Sequence, residues 1–288
     1  MTTHKLEIPG ATLTYDVAGP LPAVDGRPPL LMIGLPMDAS GFTALASHFT
    51  DRTVVTYDPR GLGRSVRTDG RNDNVPAVHA EDVHAVIEAL GGPVELFASS
   101  GGAVVALALV TAHPADVTTL VAHEPPLVTV LPDAAAAERA SAGYRDAYAA
   151  KGLGAGMAAF IAMTSWQGEF TDDYFAAPAA DPALFGLPTE DDGSRDDPLL
   201  SDRSRAVVDY RPDIAALTAA PTRIVIGYGE ESTGTVTERA STEIADRLGH
   251  KPVVFPSHHG GFTGPESGYP GKPEAFARTL RTVLDAAD

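Results

Sequence analysis

Val94-Glu95-Leu96-Phe97-Ala98-Ser99-Ser100-Gly101-Gly102-Ala103-Val104-Val105-Ala106-Leu107 is the stretch on which the reading of the fold turns. It opens as a short apolar run, passes through a string of small residues, and continues rich in Ala, Val and Leu. That pattern is strand, sharp turn, helix. Its centre has the form small-x-Ser-x-Gly, with Ala98 in the first small position. A turn this sharp forces its middle residue into a strained backbone conformation, so the neighbours must be small. Ser100 then stands clear of the strand end with its hydroxyl exposed, with Ser99 as the rival register. The amides opening the next helix, Gly101 first, point where negative charge could develop. Taken alone, the stretch could also be a glycine-rich phosphate-binding turn.

Working outward, short apolar runs alternate with helical patterns. Residues 4–8 and 11–17, split by Pro9-Gly10, read as an antiparallel pair at a sheet edge. Gly19 to Pro29 is a loop. Leu30 to Ile33 is a strand apolar on both faces, followed by Gly34-Leu35-Pro36-Met37. Residues 40–49 suit a short helix, and Thr53 to Tyr57 a strand that runs into Asp58-Pro59-Arg60-Gly61-Leu62-Gly63-Arg64-Ser65. Thr68 to Asn74 reads as a solvated loop whose acids do not follow a calcium-binding pattern. Residues 75–90 form an amphipathic helix. His79 and His84 do not share a face on it, so no metal site is expected there. The helix after Ser100 runs to Ala112. Val117 to Ala122 is the next strand, ending in His123-Glu124-Pro125-Pro126.

From Leu127 to Pro212 the strand signals stop, and an Ala-rich helical pattern carries most of the aromatics, Trp166 among them. Its acidic run, Glu190 to Asp192 with Asp196 and Asp197, reads as a solvated loop. A strand returns at Thr222 to Ile226, ending in Gly227-Tyr228-Gly229-Glu230-Glu231. A helix over 235–248 and a last strand over 252–255 follow. That strand leads into Pro256-Ser257-His258-His259-Gly260-Gly261-Phe262, and a helix over 273–285 closes the chain. The alternation predicts an α/β protein: a mostly parallel twisted sheet flanked by helices, built from 1–126 and 213–288, with a helical cap of 127–212 inserted.

Composition narrows the function classes. The 288 residues include no cysteine, which removes disulfides, thiol nucleophiles and thiolate metal sites. A formal net charge of −17 argues against nucleic acid and anionic lipid as partners. The charged start Met-Thr-Thr-His-Lys does not suit a secretory signal, and no run suits a membrane span, so a cytoplasmic protein is expected. Assembly with further copies of the chain is left open.

Three strand-end loops thus carry, in chain order, a Ser, one or more Glu, and a His. With the small-x-Ser-x-Gly turn and the D-x-R-G-x-G-x-S stretch at 58–65, this resembles the α/β-hydrolase family. The resemblance implies a cofactor-free, metal-free hydrolase with Ser100 as nucleophile and His259 as base, His258 being the rival. Gly34-Leu35-Pro36 is similar to the family's His-Gly-x-Pro stretch, with Ile33 in place of the His. It implies the Leu35 amide, or that of Met37, as oxyanion donor beside Gly101. The family's commonest acid position matches Glu230. The Ser99-Ser100-Gly101 and His123-Glu124-Pro125-Pro126 stretches, however, resemble zearalenone-type lactonases, which implies Glu124. Glu124 is favoured here, with Glu230 as the alternative. The expected substrate is a small carboxylic ester or lactone, with Trp166 a contact for it in the cap. Carbon–carbon bond hydrolysis and perhydrolysis could use the same groups, and a small-molecule binding protein on the same scaffold is the rival from another class.

Overall fold

The computed structural model describes residues 1–23 and 26–286; of the loop expected between Gly19 and Pro29, Val24 and Asp25 lie outside the described residues. The strands are β1 (Thr2–Ile8), β2 (Ala11–Ala18), β3 (Leu30–Leu35), β4 (Val54–Asp58), β5 (Val66–Arg67), β6 (Val94–Ser100), β7 (Val117–His123), β8 (Arg223–Gly229) and β9 (Val253–Phe255). The α-helices are α1 (Thr43–Ala46), α2 (Pro76–Leu90), α3 (Gly101–Ala112), α4 (Ala134–Ser165), α5 (Asp172–Ala176), α6 (Arg205–Val208), α7 (Ile214–Ala219), α8 (Val236–Arg247) and α9 (Pro273–Asp285). None of the described helices is long and apolar enough to cross a membrane.

The strands form one sheet in the order β1-β2-β4-β3-β6-β7-β8-β9, with β5 paired to β2. From β4 to β9 every neighbouring pair is parallel, and β1 and β2 are the antiparallel edge that Pro9-Gly10 foretold. Alternation along the central strands feeds two cores. Leu31 and Ile33 of β3 pack into the larger one, while Leu30 and Met32 join Phe97, Phe255, Phe262 and Phe276 on the other face. Strands covered on both faces must be apolar throughout, which is why their sequences read as continuous runs.

The turn at 58–65 is tied as its sequence suggests. Asp58 accepts from the Arg64 amide at 2.9 Å and from the Ala39 amide at 2.9 Å. Arg60 pairs through both arms of its guanidinium with buried Asp82. The neighbouring loop, 68–74, follows the short strand β5 and is exposed over 68–72 as expected, with Arg67 donating to Asp69 and to the Asp73 carbonyl. Its last residue departs from expectation: Asn74 is fully buried and donates at 3.1 Å to Ser204, a partner distant in sequence that a local reading does not supply.

Segment 127–212 contains no strand among the described residues, as expected, but its second half is not mainly helical. After α4 and α5 it runs irregularly or in single turns to α6. Pro178, Pro182, Pro188 and Pro198 account for this, since each lacks the amide that a helix interior needs. α4 itself bends at Gly152, whose φ of 80° no other residue type adopts readily. Likewise, 40–49 forms only a 3-10 turn (Ala39–Phe42) and the single turn α1.

Candidate active site

Ser100 is the last residue of β6 and caps α3, with φ 56° and ψ −127°. A non-glycine residue in this region is strained, and such strain clusters at functional sites. The two glycines after it are dictated by close approach. A Cβ on Gly101 would lie 2.5 Å from the Leu35 carbonyl oxygen, and one on Gly102 would lie 2.7 Å from both the Gly34 Cα and the Ile33 carbonyl oxygen. With no side chains there, the first turn of α3 presses against the end of β3. Leu35, which is in register with Ser100 across the β3–β6 ladder, lies beside Gly101. Leu35, Ser100 and Gly101 all line one cavity of about 600 Å³, which Met37 does not line.

Glu124 follows β7 with φ 49° and is completely buried. Its Oε2 lies 2.6 Å from His259 Nδ1 and accepts from the Thr237 hydroxyl at 2.6 Å, while Oε1 accepts from the Gly229 amide at 2.8 Å. Burial alone would raise the carboxyl pKa. The charge of His259 and its hydrogen bond overcome that, with His123 adding to them, and hold Glu124 well below the usual carboxylate range. An ionised carboxylate only accepts, so Nδ1 carries the proton and Nε2 is left as the basic nitrogen. For His259, burial pulls the pKa down, but the charge and hydrogen bond of Glu124 carry it above the ordinary value. Its side chain is 46 % exposed and lines the same cavity as Ser100.

The remaining sequence candidates have other partners. Glu230 is at the surface. It accepts from the Ser257 amide at 3.1 Å and pairs with Lys272 at 3.2 Å, which lowers its pKa without bringing it to His259. His258 also borders the cavity, but its ring is stacked on Tyr269 with centres 4.0 Å apart and its Nε2 is 3.2 Å from the Pro270 carbonyl, with no carboxylate partner among the described residues. Trp166 does not line the cavity, contrary to expectation. It packs against Tyr174 and donates to the Glu169 carbonyl at 2.9 Å, while its neighbours Ser165 and Gln167 face the cavity. His84 sits with His113 and Asp116, close enough for one ion, but the two rings are stacked 3.8 Å apart and within 7° of parallel. In-plane lone pairs on stacked rings cannot converge on one metal.

Two neighbours of the site were not singled out from the sequence. Thr237, near the start of α8, reads there as an ordinary helix-start residue, and no local signal ties it to a glutamate 113 positions earlier. His123 is buried among Phe97, Phe255, Phe262 and Phe276, with Nδ1 3.4 Å from the Ser99 hydroxyl. Burial lowers its pKa to about 4.

A parallel sheet with an antiparallel edge, a strained serine between β6 and α3, and a carboxylate-bound histidine after the last strand define the class of α/β hydrolases. The chain belongs to it: the alpha/beta hydrolase family pattern matches residues 30–279. An uncharacterized hydrolase of Bacillus subtilis, YraK, is 36% identical over 128 residues, which are 44% of this chain and 45% of YraK. The chain thus spans less than half the length of this curated relative. Solved structures agree on the fold. An esterase from Thermogutta terrifontis has a TM-score of 0.64 at 19% identity, over 99% of this chain and 98% of that one. A proline iminopeptidase from Mycobacterium smegmatis has a TM-score of 0.61 at 18% identity, over 98% and 97%.

Proposed function

We propose that the protein is a serine hydrolase of carboxylic esters or lactones, with Ser100 as nucleophile, His259 as base and Glu124 as the acid that orients it. The observation that carries this is the Glu124–His259 contact of 2.6 Å, at a cavity that Ser100 also lines. A serine hydroxyl attacks only when a base takes its proton. Nε2 of His259 takes it, and Glu124 stabilises the imidazolium that results. The amides of Leu35 and Gly101 receive the negative oxygen of the tetrahedral intermediate. Collapse breaks the bond to the alcohol, which leaves with the proton from His259, and water then releases the acid by the same steps. The reaction needs no cofactor. Segment 127–212 acts as a cap, supplying much of the cavity wall.

The likeness of the stretches around Ser100 and Glu124 to zearalenone-type lactonases supports including lactones, and the esterase among the structural neighbours supports esters. The test is a fluorophosphonate probe with Ser100→Ala as its control. Labelling at Ser100, and a loss of about 10⁴-fold or more in kcat in the variant, is the expected result. An unlabelled wild type that turns over no activated ester would instead mark a binding protein on this scaffold.

A further inference from the structure

The cavity is graded from end to end. Its inner end is walled by α4 and by residues 199–208, with Val128, Tyr144, Met163 and Val207 buried and Phe160 and Val208 beside them. The polar side chains at this end divide in two: Ser165 and Gln167 are exposed, whereas the hydroxyls of Tyr144, Thr164 and Ser204 are engaged within the protein, Thr164 with the Phe160 carbonyl at 2.9 Å. The Tyr144 hydroxyl meets Arg145, and the Ser204 hydroxyl meets Asn74 and the Pro198 carbonyl. Ser141 Oγ has no partner, but it is wholly shielded. The outer end is built differently, from the loop that carries His259. Thr263, Ser267 and Tyr269 lie there with Glu231, and the last three are exposed. Glu231 is the one Asp, Glu, Lys or Arg lining the cavity among the described residues, and Lys272 pairs with it at 3.2 Å.

Chemistry fixes which part of an ester faces which end. The leaving oxygen must touch the group that protonates it, so the alcohol lies on the side of His259. The acyl part then extends the other way. An ionised group would find no charged partner among the described residues lining the inner end and would lose its hydration there without replacement. We infer that the substrates are esters whose uncharged, apolar acyl chain fills the inner end against Phe160 and Val208, and whose alcohol is the polar part, facing Ser267 and Tyr269. This rests on the assignment of Ser100 and His259 proposed above.

Two isomers with the same atoms separate the orientations. Glyceryl monohexanoate has an apolar acid and a polar alcohol, whereas hexyl glycerate has the reverse. With wild-type protein, kcat/KM for the hexanoate should exceed that for the glycerate by at least about 30-fold, given the discrimination that a few methylenes in an apolar pocket provide. Phe160→Ser should narrow the ratio. Both rates come from one preparation, so a loss of folded protein cancels. An equal or reversed preference, turnover of neither isomer, or a ratio unmoved by Phe160→Ser overturns the inference. p-Nitrophenyl acetate keeps the two claims apart. Its hydrolysis by wild type but not by Ser100→Ala supports the assignment of the nucleophile whatever the isomers do, and its failure to react at all counts against that assignment.

Discussion

The floor of the cavity and its wall are held in place by different physics. The floor consists of Ser100, Glu124, His259 and the backbone beneath them. Two of these residues have left-handed backbones, Glu124 has three hydrogen-bond donors, and two glycines admit a neighbouring strand at contact distance. Much of the wall surface that 127–212 turns to the cavity is apolar, as in the edge-to-face packing of Tyr144 on Phe160 at 5.3 Å, while polar ties such as Asn74–Ser204 anchor the segment behind it. Apolar contact is non-directional and tolerates exchange of similar volumes. A hydrogen-bonded, strained floor does not. Changes to the floor should therefore act on the rate of reaction, and changes to the wall on the choice of substrate.

The sharpest break of this contrast is Glu124→Gln. The variant is expected to lose about four orders of magnitude in kcat, as when the corresponding carboxylate of a serine protease becomes an amide. Glu230→Gln should keep most of the rate, since Glu230 pairs with Lys272 and the Ser257 amide and not with His259. The two kcat values on one ester decide it, and a dead Glu230→Gln beside an active Glu124→Gln would reverse the assignment.

Thr237 offers a finer cut through the same floor. Thr237→Val removes one of the donors on Glu124 Oε2. We expect kcat to fall about tenfold, the worth of one hydrogen bond to a charged group, with KM little changed. The carboxylate would then act more strongly on His259 and raise its pKa further, so the acidic limb of the pH–rate profile should move to higher pH. Thr237→Ser should restore both. A limb that stays in place would mean that Thr237 only packs.

Acid stability probes the floor from beneath. Burial lowers the His123 pKa to about 4 and that of His79 to about 3, both from the ordinary 6.5. The unfolded chain therefore binds protons that the folded chain refuses. Their stabilising effect is intact above pH 6.5 and shrinks as the pH falls toward those values. Urea midpoints measured between pH 7 and 4.5 should decline, and His123→Phe should flatten the decline in part. An identical slope in the variant would remove His123 from the account.

The smallest effect is expected at Trp166, where sequence had suggested contact with substrate. Because its ring rests on Tyr174 and outside the cavity, Trp166→Ala should alter the ratio of rates on large and small esters by less than about twofold, as expected of a residue outside the pocket. A larger change in that ratio would put Trp166 back in the wall.

The same contrast explains what could be read from the chain. The turn at Ser100 and the turn at 58–65 were legible because backbone geometry demands particular small residues in consecutive positions. The order Ser, Glu, His was legible because strand ends recur at regular intervals. Choosing between Glu124 and Glu230 required knowing which carboxylate meets His259, 135 residues after the first of them. Asn74 and Thr237 depended on Ser204 and Glu124, partners distant in sequence, and neither periodicity nor composition encodes those.

The chain leaves the sheet after β7 and rejoins it in the adjacent lane as β8, with Thr119 in register with Arg223. Near the two stems of the excursion, the Thr129 hydroxyl donates to the Tyr210 carbonyl at 2.6 Å. A detour whose ends already meet can be lengthened, shortened or exchanged at little entropic cost, since closure entropy grows only with the logarithm of length. What such an exchange would have to replace are the ties across it, chiefly Ser204 on buried Asn74 and Asp133 on Arg239. A descendant could acquire a new diet by grafting a different excursion between Thr129 and Tyr210, without relearning how to cut.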